Sequence, residues 1–244
     1  MNPLLLPLVA SQGWAARSRI EVLPEATGPY CGRTSGPSGS ALRLTVLGES
    51  TAAGCGVHTH DHGFAGAFAR ALARRHDRAV CWTAHGRSGA TIRLTRETLL
   101  PNLPARADYT ALLIGANDVL SRTRLQKWRD DLTAVVQYLS ITSSRVIVAG
   151  VPPFDSFPSL PKTLRHYLHE RGKRLDAISR AVCVEHPRVA WITSRSLAVG
   201  PDFFARDGFH PSARGYEHWA QVLEQELHQS QKSPCWAASS APRR

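Results

Sequence analysis

Five short runs along the chain are apolar on both faces: Leu42–Leu47, Ala79–Ala84, Thr110–Ile114, Arg145–Ala149 and Arg188–Ile192. A strand with one wet face alternates apolar and polar residues, whereas a strand covered on both sides reads as a nearly continuous apolar run. Between the runs the period changes to that of a helix. Phe64, Ala65, Phe68, Ala69 and Leu72 fall on one helical stripe, and the same spacing recurs over Leu125–Leu139, Thr163–Val184 and Ala213–Leu227. Strand alternating with helix predicts an α/β fold, a three-layer sandwich whose parallel sheet carries helices on both faces, joined by right-handed crossovers. No internal repeat is visible. Residues 24–40, PEATGPYCGRTSGPSGS, are rich in Pro, Gly and Ser and read as a linker. The pattern divides the chain into a lead segment (1–40), one domain (41–229) and a tail (230–244) expected to be disordered.

Composition adjusts this picture in a few places. A chain of 244 residues with 43% hydrophobic and 20% charged residues can form one sizeable core. Its net charge of +11, from 30 Lys+Arg against 19 Asp+Glu, is mostly arginine and reads as a solvated basic surface. Such an excess bears on association and not on fold. It is compatible with peripheral contact with a membrane, and no nucleic-acid partner is expected. The five cysteines (Cys31, Cys55, Cys81, Cys183 and Cys235) are odd in number, widely spaced and without a CxxC pair. That argues against a disulfide framework or a zinc ribbon and suits a reducing compartment. The opening MNPLLLPLVASQGWA is too short to span a bilayer, is broken by Pro3 and Pro7, and lacks the basic start of a signal peptide. It reads as an uncleaved segment that packs on the domain or touches a membrane surface. The expected location is cytoplasmic or peripheral to a membrane, with export left open, and no oligomeric state is specified.

In open parallel sheets, ligands bind beyond the carboxyl ends of the strands. Here those ends carry Gly48-Glu49-Ser50, His85-Gly86-Arg87-Ser88-Gly89, Gly115-Ala116-Asn117-Asp118 and Gly150-Val151-Pro152-Pro153-Phe154, and a late loop adds Asp207-Gly208-Phe209-His210-Pro211. A serine hydroxyl becomes a nucleophile only with a base, a group that orients the base, and donors for the oxyanion. Ser50 can be that nucleophile and His210 the base. Asp207, three residues before His210, can fold back onto the imidazole. Asn117 offers a side-chain amide, and Gly89 a backbone N–H that a substrate can approach closely.

Each of these residues also has a plainer role. Ser50 alone reads as a helix N-cap, and the small residues after it would let a helix start there. Ser88 is a rival nucleophile or a brace for the Gly89 turn; Asp202 is a rival orienter eight residues from His210; Asp118 reads as a cap. His58, His60 and His62 alternate and could converge on a metal if extended, but the more economical reading is a polar rim. Cys55 reads as a small packed residue. The loop from 151 to 161 is either simply packed or, through Pro152, Phe154 and Phe157, a wall of the substrate pocket.

Taken together, GES at 48–50, SGAT at 88–91, GAND at 115–118 and DGFHP at 207–211 resemble, in order and position, the four blocks of the SGNH, or GDSL-type, hydrolases. The resemblance implies a flavodoxin-like five-stranded sheet of order 2-1-3-4-5 and ester hydrolysis through an acyl-serine. It implies Ser50, Asp207 and His210 as catalytic residues, and the N–H groups of Ser50 and Gly89 with the Asn117 amide as the oxyanion hole. It implies a small-molecule, lipid or carbohydrate ester as substrate, and no metal or organic cofactor. The departure from the pattern is Glu49, where the family usually carries Asp. The GxSxG elbow of the larger α/β-hydrolases is absent, because Ala52 stands where its second glycine would be. The alternative from another class is a binding protein for anionic lipid or polysaccharide whose triad is vestigial. A metallohydrolase built on the histidine loop is a third.

Overall fold

In the computed structural model, residues 6–37, 39–104 and 106–231 are described. Helix α1 (Leu6–Arg19) is followed by the short strand β1 (Cys31–Arg33) and then by β2 (Leu42–Gly48), α2 (Phe64–His76) and β3 (Val80–Gly86). A single turn, α3 (Ile92–Leu94), runs into a wider turn over Thr95–Leu99 and a tighter one over Leu100–Asn102. Next come β4 (Ala107–Leu113), α4 (Ala116–Leu120), α5 (Leu125–Thr142), β5 (Ser143–Ala149), α6 (Lys162–Val184), β6 (Val189–Ile192) and α7 (Ala213–Gln231).

All five strands expected from the apolar runs form, as do the four helices expected from the 3.6 period. The sheet has six strands in the order β1-β3-β2-β4-β5-β6. Five are parallel and follow the expected 2-1-3-4-5 order. The sixth, β1, comes from the Pro/Gly/Ser-rich stretch and pairs antiparallel with β3, Cys31 opposite Thr83 and Arg33 opposite Cys81. Its middle residue is Gly32, where a Cβ would come within 2.4 Å of the Trp82 ring. A three-residue strand that needs a bare glycine at its centre leaves no hydrophobic pattern to read.

Each face of the sheet carries its own core. On one, α2 and α7 pack Phe64, Phe68, Leu72, Tyr216 and Trp219 against Leu44, Val46 and Trp82. On the other, α5 and α6 pack Trp128, Leu132, Val136, Leu168 and Leu175 against Leu112, Val146 and Val148. Side chains of this size each stabilise the fold by roughly 1.5–3 kcal/mol when fully buried. The Trp128 indole N–H is buried without penalty, because it donates to Ser179 Oγ at 3.1 Å, which donates in turn to the Leu175 carbonyl. Helix α1 lies against the start of α6: Val9 and Ala16 are buried, and the Leu164 N–H donates to Gln12 Oε1.

The strands end level with one another, and this places the site. Gly48 pairs with Gly86 on one side and Leu113 on the other. Gly48 has φ of +151°, and a Cβ there would lie 1.9 Å from the Leu113 carbonyl oxygen. Gly48→Ala is therefore expected to lower unfolding free energy in urea by about 3 kcal/mol or more, the scale of backbone strain added to overpacking.

Candidate active site

Beyond Gly48 the chain turns sharply. The Glu49 N–H still donates to Leu113, while the N–H groups of Ala52 and Ala53 fold back onto the Glu49 carbonyl and that of Cys55 onto the Ser50 carbonyl. This is a string of turns and not the helix start that the small residues suggested. Gly54 and Gly56 take φ of +73° and +98°, which a right-handed helix cannot continue through, and α2 begins only at Phe64. The consequence is a largely buried elbow with Ser50 at its turn, its hydroxyl toward His210.

The late loop brings the other partners. Asp207 Oδ1 accepts from the backbone N–H groups of Phe209 and His210, both at 3.0 Å, which fixes the turn. Asp207 Oδ2 lies 2.6 Å from His210 Nδ1, and His210 Nε2 lies 3.0 Å from Ser50 Oγ. With Asp207 accepting the Nδ1 proton, Nε2 is left to accept from the serine hydroxyl. Burial works to raise the Asp207 carboxyl, but the hydrogen bond from His210 and the two backbone N–H groups outweigh it, so the group sits below the ordinary carboxylate value. It stays charged behind the imidazole.

Asn117 stands at the first turn of α4, across from Ser50. Its Nδ2 donates to Glu49 Oε2 at 2.8 Å and to the Ala90 carbonyl at 3.1 Å. Gly89, at φ +78°, has nothing within 4 Å of where a Cβ would be, so its face of the loop is open. The neighbouring Asp118 is fully buried and caps a different element from its own: Oδ2 accepts from the Ile92 N–H at the start of α3, and Oδ1 from Thr123 Oγ1. Burial pushes its carboxyl up to about 6. Sequence reasoning had no means of finding this contact, which ties the Gly89 loop to the Asn117 turn.

Glu49 is the other side chain that sequence reasoning left without a role. It is 3% exposed, and it accepts from the Ala116 N–H, the Asn117 N–H and the Asn117 side chain. Burial pushes its carboxyl up to about 8, with the three N–H donors pulling the other way and Asp118 adding to the rise.

An apolar cavity of about 50 Å³ opens beside Ser50 and His210. Its walls include Ile114, Leu197, Phe203, Phe204, Phe209 and Trp219. Of the three residues offered as a pocket wall, Pro152 and Phe157 line this cavity. Phe154 does not. It is fully buried, with its ring 5.1 Å from that of Phe157, and backs the wall from the core side because the turn over residues 154–156 points it inward.

The remaining candidates fall elsewhere. Ser88 is exposed, and its N–H donates to Glu25 Oε1 at 2.6 Å. Asp202 pairs with Arg214 on the surface. His60 is buried against the Tyr30 ring while His58 and His62 are exposed, so the three do not converge. Among the described residues no group of three His, Cys, Asp or Glu could hold a metal. Cys55 is buried, and its thiol is pushed up to about 11, chiefly by burial. Among the described residues no helix is long and apolar enough to cross a membrane.

A three-layer α/β fold with serine, histidine and aspartate meeting at the carboxyl edge of its sheet is the architecture of a hydrolase. The chain belongs to the GDSL-like lipase/acylhydrolase family, whose model matches residues 46–218, from within β2 into α7. It is 26% identical over 234 residues to a GDSL-like esterase of Mycobacterium tuberculosis, covering 88% of this chain and 74% of that protein. Among solved structures the fold is similar to LAE5, an α/β hydrolase enzyme from the metagenome of Lake Arreo (19% identity, TM-score 0.60, 77% of this chain and 95% of that one). It is also similar to a lipase/acylhydrolase of Enterococcus faecalis (23% identity, TM-score 0.56, 78% and 96%). An acetylxylan esterase of Geobacillus stearothermophilus shares the fold as well (16% identity, TM-score 0.55, 78% and 95%).

The Glu49 carboxyl gives a pH signature. The folded state holds this proton to about 8, against 4.5 for the unfolded chain, so its contribution to stability is complete below 4.5 and is lost as pH rises toward 8. The difference in unfolding free energy between the native chain and Glu49→Gln, measured in urea, is expected to shrink in the native chain's disfavour between about pH 5 and pH 8.

Proposed function

We propose that this chain is a serine esterase that cleaves carboxylic esters of short acyl groups through an acyl-serine intermediate. The observation that carries the reading is the aligned contact from Ser50 Oγ to His210 Nε2 to Asp207 at the mouth of an apolar cavity. As Ser50 Oγ bonds to the ester carbonyl carbon, its proton passes to His210 Nε2. The imidazolium so formed is held by Asp207. The carbonyl oxygen gains the charge and is met by the N–H groups of Ser50 and Gly89 and by the Asn117 amide, one proton of which leaves the Ala90 carbonyl for it while the other stays on Glu49. When the tetrahedral species collapses, the bond to the alkoxy oxygen breaks and the alcohol leaves with the proton from Nε2. Water then repeats the sequence on the acyl-serine and frees the acid.

Cavity size sets the acyl length. An apolar cavity of ~150 Å³ accommodates benzene, with six carbons. A cavity of about 50 Å³, one third of that, suits an acyl chain of roughly two to four carbons. The alternative of a binding protein with a vestigial triad has no observation of its own, since binding alone has no use for a hydroxyl, an imidazole and a charged carboxylate in hydrogen-bond sequence.

A series of p-nitrophenyl esters is expected to give the highest kcat/KM at two to four acyl carbons, with a fall of about tenfold or more by eight. Ser50→Ala should lower kcat by about 10⁴-fold or more. An organophosphonate should label Ser50, and peptide mapping that finds the label on Ser88 would overturn the assignment. Asp207→Asn presents an amide to Nδ1 and favours the wrong tautomer, so kcat is expected to fall by about 10⁴-fold with KM little changed.

A further inference from the structure

We infer that Glu49 is a positioning residue: its side chain clamps the Asn117 turn to the Ser50 elbow and so sets the spacing of the oxyanion donors. The inference rests on the esterase reading of the site. Three features of the geometry lead to it.

The first is connectivity. Glu49 precedes Ser50 directly, its carboxyl accepts from Asn117, and the Asn117 amide donates onward to the carbonyl of Ala90, the residue after Gly89. One chain of hydrogen bonds therefore joins the three places from which an oxyanion would be held. The second is chemistry. Ala116 N–H reaches Oε1, and Asn117 N–H and Nδ2 reach Oε2, at 2.8 to 3.0 Å. Every partner is a donor, and the carboxylate that forms above about pH 8 meets all three by accepting only. The third is cost. A buried carboxylate is strongly disfavoured unless it is paired, and among the described residues no cation offsets this one; the α4 N–H groups, which have no partner within the helix, take that role. A group retained at that cost beside the nucleophile, with every contact directed at Asn117 and its neighbour, holds that turn in place.

The test compares the native chain with Glu49→Gln, Glu49→Asp, Asn117→Ala and the Glu49→Gln/Asn117→Ala pair, on a short p-nitrophenyl ester at about pH 8.5. Glutamine has the same shape but keeps one acceptor oxygen and sets an NH₂ against the N–H of Ala116 or those of Asn117. Glu49→Gln is expected to lower kcat by about 100-fold, the scale of losing one oxyanion donor, with KM within about threefold. Glu49→Asp keeps the charge and should recover kcat to within about tenfold of the native chain. In the Asn117→Ala background, Glu49→Gln should cost less than about threefold, because its route of action is gone. A Glu49→Gln enzyme with native kcat, or an equal loss with and without Asn117, overturns the inference. The nitrogen-15 NMR signal of the Asn117 side-chain amide gives a readout independent of turnover. Its protons should be protected from exchange in the native chain and in Glu49→Asp, and unprotected in Glu49→Gln; equal protection in all three overturns the clamp. If Glu49→Gln does not fold, protection in Glu49→Asp against that in Glu49→Ala decides in the same way. A native chain that turns over no ester would sink the esterase reading, and the amide signal would still decide the clamp.

Discussion

Gly48 is held between β3 and β4 at a point where no side chain fits, its Cα level with Gly86 and Leu113. That close approach is what the site depends on. It stops β2 in register with its neighbours and forces the turn that carries Ser50 away from the sheet. It also brings the loops after β3 and β4 within reach of the same elbow: the Arg87 N–H donates to the Gly48 carbonyl, and the Glu49 N–H to that of Leu113. A wider separation here would leave Ser50, Gly89 and Asn117 on three independent loops. The hydrophobic cores on the two faces supply the stability, but this one backbone contact fixes where the chemistry can occur.

Three acidic side chains are drawn into the same edge, and none is neutralised in the usual way by lysine or arginine. Asp207 accepts two backbone N–H groups and the imidazole, Glu49 two backbone N–H groups and an amide, Asp118 one backbone N–H and a hydroxyl. The outcomes differ. Asp207 is held below its ordinary value, while burial lifts Glu49 and Asp118 above theirs. For Glu49 and Asp118 the cost of burial outweighs the donors, even though Arg171 draws Asp118 down; for Asp207 the hydrogen bond from His210 and the two backbone N–H groups outweigh it. Among the described residues no arginine forms an ion pair with these three carboxyls, although Arg171 acts on Asp118 through space and Arg206 pairs with Glu21 beside Asp207; others, such as the pairs of Arg70 and Arg75 with Glu217 and Glu224, lie on the α2–α7 face.

How much of this was legible in the sequence depended on whether the cause was local. Buried strands and amphipathic helices follow from periodicity, and those elements formed within a few residues of the expected bounds. Ser50, Asn117, Asp207 and His210 could be singled out because their roles require particular residue types at strand ends or in one short turn. What could not be read was set by contacts across long separations. Strand β1 exists because Gly32 fits under Trp82, a pairing of residues fifty apart in a stretch that looks like linker. Phe154 reads like any pocket aromatic until the turn that carries it is seen to point inward. The cavity walls at Leu197, Phe203 and Trp219 come from β6–α7, whose sequence marks them only as core. Glu49 stood out as a departure, but its meaning lay in Asn117, sixty-eight positions away.

The segment before the family's region of match is also part of the physical unit around the site. The match begins at residue 46, yet residues 21 to 27 run along the same edge and bond to three of its loops. Glu21 pairs with Arg206 beside Asp207, Glu25 accepts from the Ser88 N–H beside Gly89, and Ala26 and Thr27 donate to Ala53 and His58 beyond Ser50. The exposed Glu21–Arg206 pair contributes little by itself. The Glu25 contact is different in kind, since a carboxylate on a backbone N–H at 2.6 Å is a charge-assisted bond that restrains a loop carrying an expected oxyanion donor. The family's motifs carry the proposed reacting groups, and in this chain part of what restrains their loops comes from a stretch those motifs do not cover.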